Sequence, residues 1–193
     1  ELLRTQKGLE LNGVVAGRTG YDVGIVEGRK NLPNTAKDLY AHVAYKIGGL
    51  RLDGVVPEGV VPAPEKPKPW VDDSLTIDAF AYLGSANVKV GKDPKGLPIS
   101  QDDDFRVIGG DVNLFYGNLN LIGGLAQRHH TQPTAKKEPM DALYTFAEAS
   151  YVLYPWLIPL VRFESFSLED ESEQMVVPSV NFLIRPNVKA LVL

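Results

Sequence analysis

The stretch from Asp141 to Leu153 alternates without a break: Leu143, Thr145, Ala147, Ala149, Tyr151 and Leu153 fall on one side, Tyr144, Phe146, Glu148 and Ser150 on the other. A period of two is that of a β-strand with two different faces. The pattern recurs along the chain. Val161 and Phe163 oppose Arg162 and Glu164, and Ile108, Val112 and Leu114 oppose Asp111 and Asn113. Leu39, Ala41, Val43 and Tyr45 oppose Asp38, Tyr40, His42 and Lys46, and Leu75, Ile77, Ala79 and Ala81 oppose Thr76, Asp78 and Tyr82. Helical spacing is hard to find, so the chain reads as all-β.

Clusters of Gly, Pro, Asn and Asp divide the chain into about twelve strands. They cover 8–18, 20–30, 38–47, 50–56, 74–83, 86–91, 104–116, 119–129, 141–153, 157–168, 174–184 and 188–193. Tight turns are predicted at Arg18-Thr19, Gly48-Gly49, Gly84-Ser85, Gly117-Asn118, Pro155-Trp156 and Arg185-Pro186-Asn187. Longer links fall at Asn31–Lys37, Pro57–Asp73, Lys92–Asp103, His130–Pro139 and the acidic Glu169–Glu173. Short turns alternating with long ones predict an antiparallel up-and-down β-barrel, one domain over 1–193, with short turns at one rim and long loops at the other.

A soluble sandwich or barrel also alternates, with its apolar faces packed together. Three features favour a membrane barrel. The strands are near the length that crosses a bilayer at a tilt, the connections are asymmetric, and aromatic residues sit at strand ends. Tyr21, Tyr45, Tyr116, Tyr151, Tyr154 and Trp156 lie close to tight turns, where an aromatic belt meets the membrane surface.

Composition narrows the function. The net charge of -4 and a pI near 5.4 give no pull toward nucleic acid, which is not an expected partner. The absence of cysteine removes disulfides, thiolate metal sites, thiol nucleophiles and CxxCH haem attachment. The longest apolar run, Tyr151–Val161, holds two prolines and falls well short of the roughly 20 residues of a spanning helix. The first residues, "ELLRTQKG", show no basic n-region or apolar h-region.

"KGLELNGVVAGRTGYDVGIVEGR" and the closing "YPWLIPLVRFESFS … VPSVNFLIRPNVKALVL" resemble the C-terminal portion of bacterial outer-membrane porins of the phosphate-selective type. The resemblance implies a monomeric or trimer-forming barrel of roughly sixteen strands around a water-filled lumen, contacting outer-membrane lipid. Bacterial barrels keep both termini in the periplasm and an even strand count. The chain, with a tight turn at Arg185-Pro186-Asn187 and a stop at Leu193, is therefore expected to be an incomplete copy, lacking strands at both ends.

Parity assigns the lumen-facing charges as Glu10, Asp22, Asp38, Lys46, Arg51, Asp53, Asp78, Asp111, Arg128, Glu148, Arg162, Glu164 and Lys189. Wall charges set pore selectivity through their field, although a solvated wall also needs polar residues for its own sake. Their mixed signs depart from the basic ladder of a phosphate pore. A small register shift would place Arg162 between Glu148 and Glu164, a mildly cation-favouring patch. His129-His130 with Glu138, and Asp102-Asp103-Asp104, have metal-ligand chemistry but neither zinc nor calcium spacing. The Pro-rich stretch Pro57–Trp70 reads as a surface loop or a fold over the pore. No Walker loop, GxSxG or HExxH occurs, so no enzyme and no cofactor is implied.

The leading expectation is an outer-membrane porin for passive diffusion. One rival is a barrel that sheathes a periplasmic or extracellular partner such as a multihaem cytochrome. Another is a soluble β-barrel that binds a small ligand.

Overall fold

The computed structural model describes residues 7–28, 38–55, 73–134, 138–169, 171–185 and 188–192. Its strands are β1 (Gly8–Val15), β2 (Thr19–Val26), β3 (Asp38–Gly48), β4 (Ser74–Lys92), β5 (Pro98–Tyr116), β6 (Leu119–His130), β7 (Met140–Tyr151), β8 (Leu157–Leu168), β9 (Glu171–Arg185) and β10 (Val188–Val192). They form one ten-stranded sheet in chain order, each strand antiparallel to the next. Among the described residues there is no helix. The all-β, up-and-down order is the one the alternation predicts.

Twelve predicted strands become ten for two physical reasons. Gly84-Ser85 is not a turn: Gly84 pairs with Phe105 and Ser85 with Asp104, inside β4 and β5, which run 19 residues each. The chain reverses instead at Asp93–Leu97, where the Asp93 carboxylate accepts hydrogen bonds from the backbone N–H of Lys95 and Leu97, both at 2.8 Å, and Gly96 takes a φ of 81°. The predicted strand 50–56 is likewise irregular over its described part: Leu52 N–H donates to the Gly17 carbonyl at 2.8 Å. Gly48 and Gly49, with φ of 73° and 54°, turn the chain out of the sheet rather than into a hairpin, and the link to β4 runs from 49 to 73.

That link puts a long connection at the rim that carries the short turns 16–18 and 117–118. At the other rim β8 and β9 are joined through 169–170 alone. The reversal at 93–97, at that same rim, is short as well, so the strict short-long alternation fails at three places. The Pro-rich stretch Pro57–Trp70 and the Pro186-Asn187 turn lie outside the described residues.

The register carries each face across the sheet. One row reads Tyr45, Ile77, Val112, Gly123, Ala147, Phe163 and Val176 from β3 to β9. The next row, on the opposite face, reads Ala44, Asp78, Asp111, Gly124, Phe146, Glu164 and Met175. Burial is inverted relative to a water-soluble core. Large residues of the apolar face are open, Leu125 at 54 % and Val176 at 63 %, while Phe105 at 7 % is the buried apolar side chain among the described residues. Apart from Gly17 and Gly24, the other buried residues are polar, among them Asp38, Asp103, His130, Ser179 and Asn181.

The apolar band has borders. On β5 it runs from Ile108 to Tyr116, about 27 Å at the usual rise. Tyr116 and Tyr151, joined through Leu119, line its short-turn border on β5 to β7, Tyr21 and Tyr45 stand near the short-turn ends of β2 and β3, and Arg106, His129 and Asp141, which pair in one row, close the other border.

Beyond that polar row, the ladder of 84–92 and 98–104 extends the sheet as a two-stranded ribbon, tied at its base to 131–134, where Thr131 N–H donates to the Asp104 carbonyl at 2.9 Å and Gln101 to the Gln132 carbonyl at 2.7 Å.

Candidate functional site: the charged face

Ten of the thirteen predicted wall charges stand on the polar face: Glu10, Asp22, Asp38, Lys46, Asp78, Asp111, Arg128, Glu148, Arg162 and Glu164. Arg51 and Asp53 do not, because parity has no meaning off a strand. They form their own ion pair at 2.9 Å beside the short turns. The Val55 N–H and the Arg51 guanidinium hold the Asp53 carboxyl below the ordinary carboxylate range. Lys189 pairs with Leu183 through its backbone, and its side chain lies outside the described residues. Asp38 is on the face but fully buried, accepting from Tyr82 Oη at 2.7 Å and from Ser85 N–H at 3.3 Å. It holds structure rather than meeting solvent.

Two charged groups remain at the middle of the face. On β7 and β8, Glu148 is directly opposite Arg162, without the register shift that turn-centred pairing required. The Arg162 guanidinium lies 3.5 Å from Glu148, donates from Nε to Glu164 and from Nη2 to Tyr144 Oη at 3.1 Å, and sits 4.9 Å over the Phe146 ring. On β2 to β5, His42 is held between Asp22 at 3.0 Å and Asp78 at 3.1 Å. Both ring nitrogens carry a hydrogen only in the imidazolium, the form in which both contacts are hydrogen bonds. Asp111 pairs directly with Asp78. A further group lies along β1 and β3, where Tyr40 Oη and Asn12 both donate to Glu10.

At the base of the ribbon, Phe105 stacks between Tyr82, at 5.8 Å, and His130, at 5.5 Å. Asp103 accepts from the His130 imidazole and from Gln132 N–H at 2.9 Å, and is 1 % exposed. The aspartate run is thus part of a buried wedge. His129 and His130, being consecutive in a strand, point to opposite faces, and His129 pairs with Asp141 at 2.8 Å. No group of metal-ligating side chains occurs among the described residues.

Sequence reasoning missed the role of glycine on this face. Tyr40 lies over Gly24, Phe80 over Gly109 and Phe146 over Gly124, each ring on the glycine directly opposite it, so the rings lie flat and leave the face open. A Cβ at Gly109 would stand 2.5 Å from the Leu125 carbonyl and 2.7 Å from the Phe80 ring. Gly109→Ala is expected to cost about 1–3 kcal/mol by overpacking, read from denaturant unfolding in detergent, and Phe80→Ala in the same chain should recover part of the loss. The signal was present as "IGGDV" and "LIGGL", but aromatic partners follow only from the register.

A hollow of about 570 Å³ opens on the apolar face over Gly123 between Val112, Leu121, Ala147 and Phe163, with Glu148 the one charged residue in its lining. No protein-family model, curated protein or solved structure matches this chain.

Proposed function

We propose that this sheet is the wall of a transmembrane β-barrel in the bacterial outer membrane, a porin whose water-filled lumen passes small solutes or ions by diffusion. The observation that carries the reading is the inverted burial: an apolar face open across nine strands, backed by a face that holds the ionised groups. A soluble sandwich would cover the apolar face with a second sheet, and no second layer exists among the described residues. The Tyr116-Leu119-Tyr151 row and the Arg106-His129-Asp141 row bound a band close to the roughly 25 Å of outer-membrane barrels. In a bilayer the edges of β1 and β10 need strand partners, so the barrel closes on itself or through further strands.

The full-length protein purified in detergent and added to a planar lipid bilayer is expected to produce stepwise, ohmic conductance. Extraction into buffer without detergent, with no conductance at any added amount, would overturn the reading.

A further inference from the structure

The Arg162 group is a box for a planar cation: one aromatic ring, Phe146, two carboxylates, Glu148 and Glu164, and the guanidinium lying over the ring. The same three elements recur on β4 and β5. Phe80 stands two residues from Asp78 on the polar face, and Asp111 is directly opposite Asp78, with Cβ atoms at roughly 5 Å in such a pair. The fourth corner is Gly109, opposite Phe80, which brings no side chain of its own.

The two boxes differ in what neutralises them. Arg162 answers both carboxylates of the first. In the second, the one cation is His42, directly opposite Phe80; its ring nitrogens are taken up by Asp22 and Asp78, so it reaches Asp111 only through space, and one imidazolium faces three carboxylates. Like charges directly opposite each other in a sheet are destabilising. A pair that breaks this rule with no structural return is where function is expected.

We infer that the Phe80-Asp78-Asp111 box takes solutes bearing a planar or alkylated cationic nitrogen, guanidinium and organic ammonium groups, as they pass the wall. This rests on the porin reading and names its solute class. The solute's cation lies on the Phe80 ring as Arg162 lies on Phe146, with Asp111 as its counter-charge. Asp22 on β2, the buried Asp38, His42 and Lys46 on β3, and Arg128 on β6 are the other charged groups on the polar face of the neighbouring strands. Glu10 lies further off on β1.

The test uses the full-length protein in planar bilayers in KCl, with methylguanidinium chloride added to one side. The wild type should show a saturable, concentration-dependent drop in single-channel current. Asp111→Asn and Phe80→Leu should each weaken that block by roughly tenfold while still forming channels, and Asp111→Glu should retain it. Phe80→Leu keeps an apolar side chain over Gly109, so the box is testable even if one variant fails to fold. Channels that methylguanidinium leaves untouched, or a block unchanged in both variants, overturn the box and leave the porin reading standing. No channels from the wild type overturn both.

Discussion

An arginine placed at Val112 or Ala147 is expected to destabilise the protein in lipid by about 2–4 kcal/mol, the cost of a cation on the lipid side near the bilayer midplane. Both residues stand in the row from Tyr45 to Val176, near the middle of the apolar band. Ala44→Arg is the matched control. Ala44 follows Val43 in β3 but lies on the other face, paired with Asp78, so its guanidinium meets water and a carboxylate. Denaturant unfolding in phospholipid vesicles should give a lowered midpoint for Val112→Arg and Ala147→Arg and an almost unchanged one for Ala44→Arg. Equal losses at all three positions would mean that the faces do not see different solvents.

Phe105→Ala should cost about 3–5 kcal/mol, as for deletion of a buried aromatic side chain. Phe105 is wedged between Tyr82 and His130, and those two residues bond to the buried Asp38 and Asp103. Removing the ring therefore exposes two carboxylates whose burial depends on the wedge. The loss should appear in the unfolding midpoint and as faster hydrogen exchange across 98–104. The conservative Phe105→Leu should lose less, and a wedge of no structural importance would show no change in either readout.

Much of the fold was legible because the period of two is a local property. Val43 against His42, or Phe163 against Arg162, needs nothing beyond the neighbouring residue. Features set by pairing between strands were harder to read. Gly84-Ser85 has turn chemistry, yet long β4-β5 pairing overrides it, and the true reversal at Asp93-Pro94-Lys95-Gly96 was hidden inside a predicted loop. The run Asp102-Asp103-Asp104 reads as ligand chemistry without calcium-loop spacing, and its burial was not legible: Asp103 is buried because the register brings His130 and the Gln132 N–H to it. The Arg162 group was legible from spacing, since Glu148 and Glu164 sit on adjacent strands of fixed parity. The Phe80 box was not, because its identity depends on which glycine of β5 faces the ring.

Because the chain has no cysteine, single cysteines introduced along β3 to β5 report one position each. Cysteines at Val43, Ala79 and Val112 on the apolar face, and at Ala44, Thr76 and Asn113 on the polar face, should be exposed to a charged thiol reagent with the protein folded in lipid vesicles. The lipid-facing wall predicts fast labelling at Ala44, Thr76 and Asn113 and protection at Val43, Ala79 and Val112, all six becoming reactive on unfolding. Labelling that is uniform, or reversed between the two faces, would contradict it.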